Sequence, residues 1–323
     1  KKLMKKMATT QMKSFLISAN QTRSLTPRVP SSYFSDISNT LSSPDENTME
    51  KVREQVHPTI KGRRRFYKSV SVRPVESVVE GAELTFEVTL DGRALRSPGR
   101  RLMHIPEGLA WGIAGEWDAQ EGVRGIEPGT MPLMSLTSTL IDQTVETRDL
   151  VIQNVFKYLG TDTCCFIADP DLRALVKRQN KAFTPIREWM KDEWDCELDV
   201  TDSVFMVKHS EKTMARVATM VNALDSPALT ALQCATMESK SLALGLGVVL
   251  REIKPETAQE ACRLEEEFQL ERWGLVEGGH DMDRVAGQVQ LSSASVFLNL
   301  FDGEHGHAQR IAHLKKSLIG VTH

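Results

Sequence analysis

The sequence predicts an α+β protein, with a small β-rich amino-terminal part followed by a larger, mostly α-helical carboxy-terminal part. Three observations carry this. Over residues 63–105, short runs alternate apolar and polar side chains, the period of a half-buried strand, around the turn dipeptide Asp91-Gly92. From Pro106 onward, apolar residues recur instead at three- and four-residue spacing, the period of a helix packed on one face. The first 60 residues differ from both, being basic and hydroxyl-rich and then, over 35–60, polar with no sustained period. The chain therefore divides into 1–60, a presequence and linker; 61–133, a β-rich domain with one helix; and 134–323, an α-helical domain.

The amino-terminal segment is basic and rich in hydroxyl residues. Lys1, Lys2, Lys5, Lys6, Lys13, Arg23 and Arg28 precede the first acid, Asp36, and Ser and Thr are frequent among them. That composition is expected of an organelle transit peptide, because a positive amphipathic segment is drawn across an energised membrane. Residues 35–60 stay polar and are read as linker.

Strands are expected at 66–72, 84–90, 93–95 and 102–105, with Asp91 and Gly92 forming a tight hairpin because both tolerate positive φ. The triplet Arg63-Arg64-Arg65 at a strand entry is read as solvated charge rather than a phosphate contact. A helix opens at Pro106, and the four-residue spacing of Leu109, Ile113 and Trp117 places Trp117 in the core. A turn-rich connection at 126–133 leads to a helix over 134–159, stopped by Gly160. The next helical region, containing Leu175, Gln179, Phe183 and Trp189, is expected to be interrupted at Pro185. Residues 198–207 read as two short extended pieces, and helices follow at 211–224, 227–238, 239–252, 255–274, 281–300 and 304–318. Gly245 and Gly247 read as close helix packing.

The helix expected over 255–274 is unusually acidic. Pro255 suits its first position and Gly274 the position just past its end. Ala261, Leu264, Phe268 and Leu275 share one apolar stripe, while Cys262, Leu270 and Trp273 project from the other side, so neighbours are expected on two faces. Glu267 and Glu271 border the first stripe; Glu265 and Glu266 point elsewhere. Spacing alone leaves open whether these acids are a solvated edge or a contact site.

Bulk composition narrows the function classes. Hydrophobic residues make up 41% and charged residues 26% of 323, as in globular domains, and a net charge of −3 argues against a general nucleic-acid binder. Five scattered cysteines, with no C-x-x-C, argue against a zinc ribbon or thioredoxin-type site and suit free thiols in a reducing compartment. The longest uncharged apolar run, 242–250, is too short to span a bilayer. Phosphate-binding, dinucleotide-binding, zinc-protease and nucleophile-elbow motifs are absent, so no cofactor and no catalytic residue is expected. His305 and His307 with Asp302 and Glu304 are read as a polar turn, not a metal site. Asp142 and Asp162 with Glu265 or Glu266 supply the one enzymatic alternative, a carboxylate acid/base pair, but no nucleophile accompanies them.

Six stretches, in order, resemble one family: R-F-Y-K at 65–68, L-D-G-R-A-L-R-S-P at 90–98, L-A-W-G-I-A-G-E-W-D-A-Q at 109–120, I-E-P-G-T-M-P-L at 126–133, Y-L-G-T-D-T at 158–163 and L-E-E-E-F-Q-L-E-R-W-G at 264–274. The chain is similar to the mitochondrial assembly chaperones for the F(1) catalytic head of ATP synthase that hold its α subunit. The resemblance implies a non-catalytic, monomeric matrix protein that covers an aggregation-prone subunit surface until the β subunit arrives. It also implies that a functional acid lies among Glu265, Glu266 and Glu267, with a core role for Leu264, Phe268 and Trp273. Projection about the helix axis makes Glu266 the expected partner-facing group and Glu267 the expected member of an internal pair. The competing readings are a matrix enzyme built on the carboxylates and a general scaffold without a particular client.

Overall fold

A computed structural model describes residues 62–75, 84–120, 125–203, 205–276, 278–303, 305–319 and 321. The expected transit peptide and linker, 1–60, lie outside the described residues.

Three antiparallel strands, β1 (Val70–Val75), β2 (Thr85–Leu90) and β3 (Arg93–Ala94), form a sheet in the order β1-β2-β3. Leu90 pairs with Arg93, which leaves Asp91 and Gly92 as a two-residue loop with φ of 48° and 78°. Asp91 also accepts the N–H groups of Ser69 and Lys68, which hold its carboxyl below its ordinary pKa. Those bonds displace the start of the first strand. The expected strand over 66–72 begins only at Val70, because the backbone at 68–69 is bonded to Asp91 instead of to a ladder. The expected strand at 102–105 is reduced to two isolated bridges, Arg96 with Leu102 and Phe86 with Ile105.

Helix α1 (Glu107–Asp118) packs on this sheet through Leu109, Ile113 and Trp117, the last 3% exposed. The Tyr67 hydroxyl donates to the carbonyl of Trp117 at 2.6 Å, and Arg65 donates to the Asp118 carbonyl and carboxylate. One arginine of the basic triplet is thus a clasp between strand entry and helix end.

The helix expected over 134–159 is three pieces: α2 (Pro132–Thr139), a wide π turn (Leu140–Thr144) and α3 (Arg148–Phe156). The interruption falls where Asp142 accepts from Ser97 Oγ at 2.6 Å and from the Gly99 N–H at 2.8 Å. Conversely, α4 (Arg173–Trp194) runs unbroken through Pro185. Its buried face, including Phe183, Ile186, Met190 and Trp194, holds together a helix that one missing N–H would otherwise weaken. Among the described residues, the segment 198–207 contributes a single parallel bridge, Phe166 with Thr201, rather than two strands.

The remaining helices are α5 (Glu211–Ala223), α6 (Ser226–Ser239), α7 (Leu242–Val249), α8 (Pro255–Cys262), α9 (Leu264–Trp273), α10 (His280–Asp302) and α11 (Gly306–Ser317). Ser210, Asp225 and Ser241 cap α5, α6 and α7 through side-chain bonds to backbone N–H groups. Helix α7 is buried throughout, and α6 approaches it so closely that a side chain at Gly245 would meet Thr236. One hydrophobic core runs from Tyr67 and Val88 in the β-rich part to Leu314 and Leu318 at the end of the chain. No helix among the described residues is long and apolar enough to cross a membrane.

Candidate functional site

Most of the motif residues serve the fold. Glu116, from the 109–120 stretch, accepts the N–H groups of Leu133 and Met134 and so caps α2; burial pushes its carboxyl up to about 7. Gln120 accepts the Glu127 N–H and donates to Thr130, tying 109–120 to 126–133. Asp162 is fully buried at the start of α7, where it accepts from Ser241 Oγ, the Ala243 N–H and the Cys164 N–H. Burial raises its pKa, and those donors oppose the rise.

The last motif is different. The single helix expected over 255–274 breaks at Arg263, giving α8 and α9, and the guanidinium of Arg263 turns to Glu266 and Glu267. Three acids then fill the first turn of α9, where the helix dipole favours them. Of the ten residues of α9 only Phe268 is buried. Two arginines lie over its ring, Arg178 at 5.3 Å and Arg272 at 4.4 Å. Trp273 does not join the core as expected. It is 69% exposed, because the break at Arg263 ends the continuous helix on which the second apolar face was projected. Leu264 is half-buried.

Polar clamps hold α9 in place. Arg178 of α4 donates two parallel bonds to Glu271, at 2.6 and 2.8 Å, and lowers its pKa. The adjacent Gln179, wholly buried, donates to Glu265 at 2.7 Å while accepting the Ala168 N–H at 2.8 Å. Glu265 is exposed as a residue, but protein crowds its carboxyl, and that burial raises its pKa. On the other side, Glu267 is paired with Arg284 of α10, which holds its carboxyl low. The three glutamates singled out in the sequence therefore sit on one turn yet reach three neighbours: Glu265 to α4, Glu266 to Arg263, Glu267 to α10.

Exposed apolar side chains that sequence reading missed lie at the end of α9 and along α10. Trp273, Leu275 and Val276 are exposed as the chain leaves α9 through Gly274, at φ 86°. Met282, Val285, Val289 and Val296 are exposed along α10. At 100° per residue these four, with Ser292, fall within an arc of about 80°. The signal was present in the sequence: 282, 289 and 296 are spaced by seven. An open groove between α8–α9 and α10 runs alongside, lined by Glu260, Arg263, Glu267, Arg284, Val285 and Val289.

The acid/base constellation does not assemble. Asp142 is bonded to 97–99, Asp162 to the start of α7 and Glu265 to Gln179, so each carboxylate is committed to a separate structural contact. Asp302 is bonded to Arg310 and Arg251, and among the described residues no group of three or more His, Cys, Asp or Glu is placed to hold a metal.

Residues 64–191 match the family model described as ATP12 chaperone protein. The Schizosaccharomyces pombe protein named Protein atp12, mitochondrial, is 25% identical over 262 residues, spanning 77% of this chain and 87% of that protein. The Saccharomyces cerevisiae Protein ATP12, mitochondrial, is 24% identical over 302 residues, with 78% and 89% covered. The crystal structure of Atp12 from Paracoccus denitrificans superposes with a TM-score of 0.66 at 32% identity, covering 74% of this chain and 98% of that one. That of a putative chaperone from Agrobacterium tumefaciens superposes with a TM-score of 0.63 at 26% identity, covering 82% and 94%.

Proposed function

Because the chain belongs to the ATP12 chaperone family, we propose that it assembles the F(1) head of ATP synthase by holding the unassembled α subunit in the mitochondrial matrix. It acts as a monomer and by binding, not catalysis. The observation that carries this is the exposed apolar surface of α9 and α10: Val285 and Val289 line a groove with the ion-paired Glu267, Arg263 and Arg284, and Trp273, Leu275 and Val276 are exposed where the chain leaves α9. A subunit surface destined for burial is apolar and aggregates while unpaired. A cover for it must bind and later let go, which favours a mixed apolar and charged contact.

Within that face, Glu266 is the partner-facing acid. Its single arginine, Arg263, lies on its own segment, whereas Glu265 and Glu267 fasten α9 to α4 and α10. Co-expression tests the reading. The α subunit stays soluble with the wild-type chain and precipitates with Trp273→Ala/Leu275→Ala. An α subunit that precipitates equally with and without the wild-type chain overturns it.

A further inference from the structure

We infer that the α9–α10 face seats an amphipathic α-helix of its client, with apolar residues at i, i+3 and i+7 and lysine or arginine on the flanks. The inference rests on the client-holding reading above and adds the form and charge of the bound segment.

The form follows from spacing. Met282, Val285, Val289 and Val296 make a straight seam on a 23-residue helix, with Ser292 continuing the register. A narrow seam of this period matches a second helix lying along it, whose own apolar residues repeat every three and four positions. The groove beside Val285 and Val289 has α8 and α9 as its far wall, so a helix laid on the seam has a side to lean against. Gly287 draws α10 against α8 on the opposite side, where a side chain would meet Glu238 and Gln259, so the seam faces away from the core.

The charge follows from what is already neutralised. Arg284 is paired with Glu267, and Arg263 with Glu266 and Glu267. The exposed acid Glu260, which lines the groove beside Val285 and Val289, has no ion pair among the described residues. Asp281, which acts on Arg284 through space, has a buried carboxylate oxygen with no hydrogen-bond donor. The charge left over in the groove, on Glu260, is negative, and the complementary flank is positive.

The test uses the full chain and labelled synthetic peptides of about 18 residues, five helical turns. One alternates leucine and lysine in a helical pattern, one places glutamate for lysine, and one scrambles the leucine–lysine order. Fluorescence anisotropy is expected to show the patterned basic peptide binding at least about tenfold tighter than either of the others. Val285→Ser/Val289→Ser, both exposed changes, is expected to lower that affinity about tenfold with an unchanged melting temperature. Glu260→Lys is expected to abolish the preference for the basic over the acidic peptide. Equal binding of all three peptides, or indifference to both sets of variants, overturns the inference. If the wild-type chain still keeps the α subunit soluble in that case, the chaperone reading stands and only the helix seat falls.

Discussion

Asp162 and Glu266 are both acids inside family motifs, and they have opposite jobs. Asp162 is fully buried and holds three donors, so Asp162→Ala leaves those donors unpaired and is expected to cost at least about 2–3 kcal/mol in denaturant unfolding. Glu266 is partly exposed beside one arginine, so Glu266→Gln, which keeps an acceptor for Arg263 but removes the charge, is expected to leave the melting temperature nearly unchanged while weakening the proposed hold on the α subunit. Trp117→Ala empties a core site and is expected to cost about 3–5 kcal/mol. Glu116 gives a pH signature. Its carboxyl titrates near 7 in the fold against an ordinary 4.5. Below about 4.5 the group is protonated in both states; between 4.5 and 7 the unfolded chain releases the proton first, so this contribution to stability falls as pH rises. Unfolding free energies measured across that range are therefore expected to decline in the wild type relative to Glu116→Gln.

At the scale of elements, α9 shows where sequence reading reaches its limit. Its acidity, its stop at Gly274 and the burial of Phe268 were legible from residue types and spacing. The break at Arg263 was not, because it is fixed by the bonds of one long side chain to Glu266 and to the carbonyl of His280, a contact across 17 residues. Once the helix breaks, the projection that buried Trp273 no longer applies. Pro185 and the 134–159 region erred in opposite directions for the same reason: tertiary contacts, the packed face of α4 and the Asp142 bonds, outweighed local preference. Gln179 is the clamp that no periodicity reveals. Gln179→Ala leaves the Ala168 N–H and the Glu265 carboxyl unpaired, and amide exchange over 264–273 is expected to accelerate while that of α7 stays slow. Equal acceleration in both helices would count against α9 being held mainly by its polar clamps.

Across the whole molecule, the motifs that identify the family mostly specify the fold. They clasp strand to helix at Arg65 and Tyr67, cap α2 at Glu116 and anchor α7 at Asp162. The α+β arrangement was legible because a hairpin dipeptide and two distinct apolar periods are local signals. The contact face was only half legible, since its acids lie in a motif while its apolar part is assembled from the end of α9 and the outer seam of α10. We propose 61–133 and 134–323 as units of different secondary structure that share one core, with the transit peptide ahead of them. The central claim is that the exposed face of α9 and α10 holds the α subunit. Light scattering of α subunit diluted from denaturant tests it directly, with wild-type chain and with Trp273→Ala/Leu275→Ala/Val285→Ser. The wild type is expected to suppress the scattering, and the variant, equally folded by circular dichroism, is expected to fail. A variant that suppresses scattering as fully as the wild type would contradict the assignment of that face.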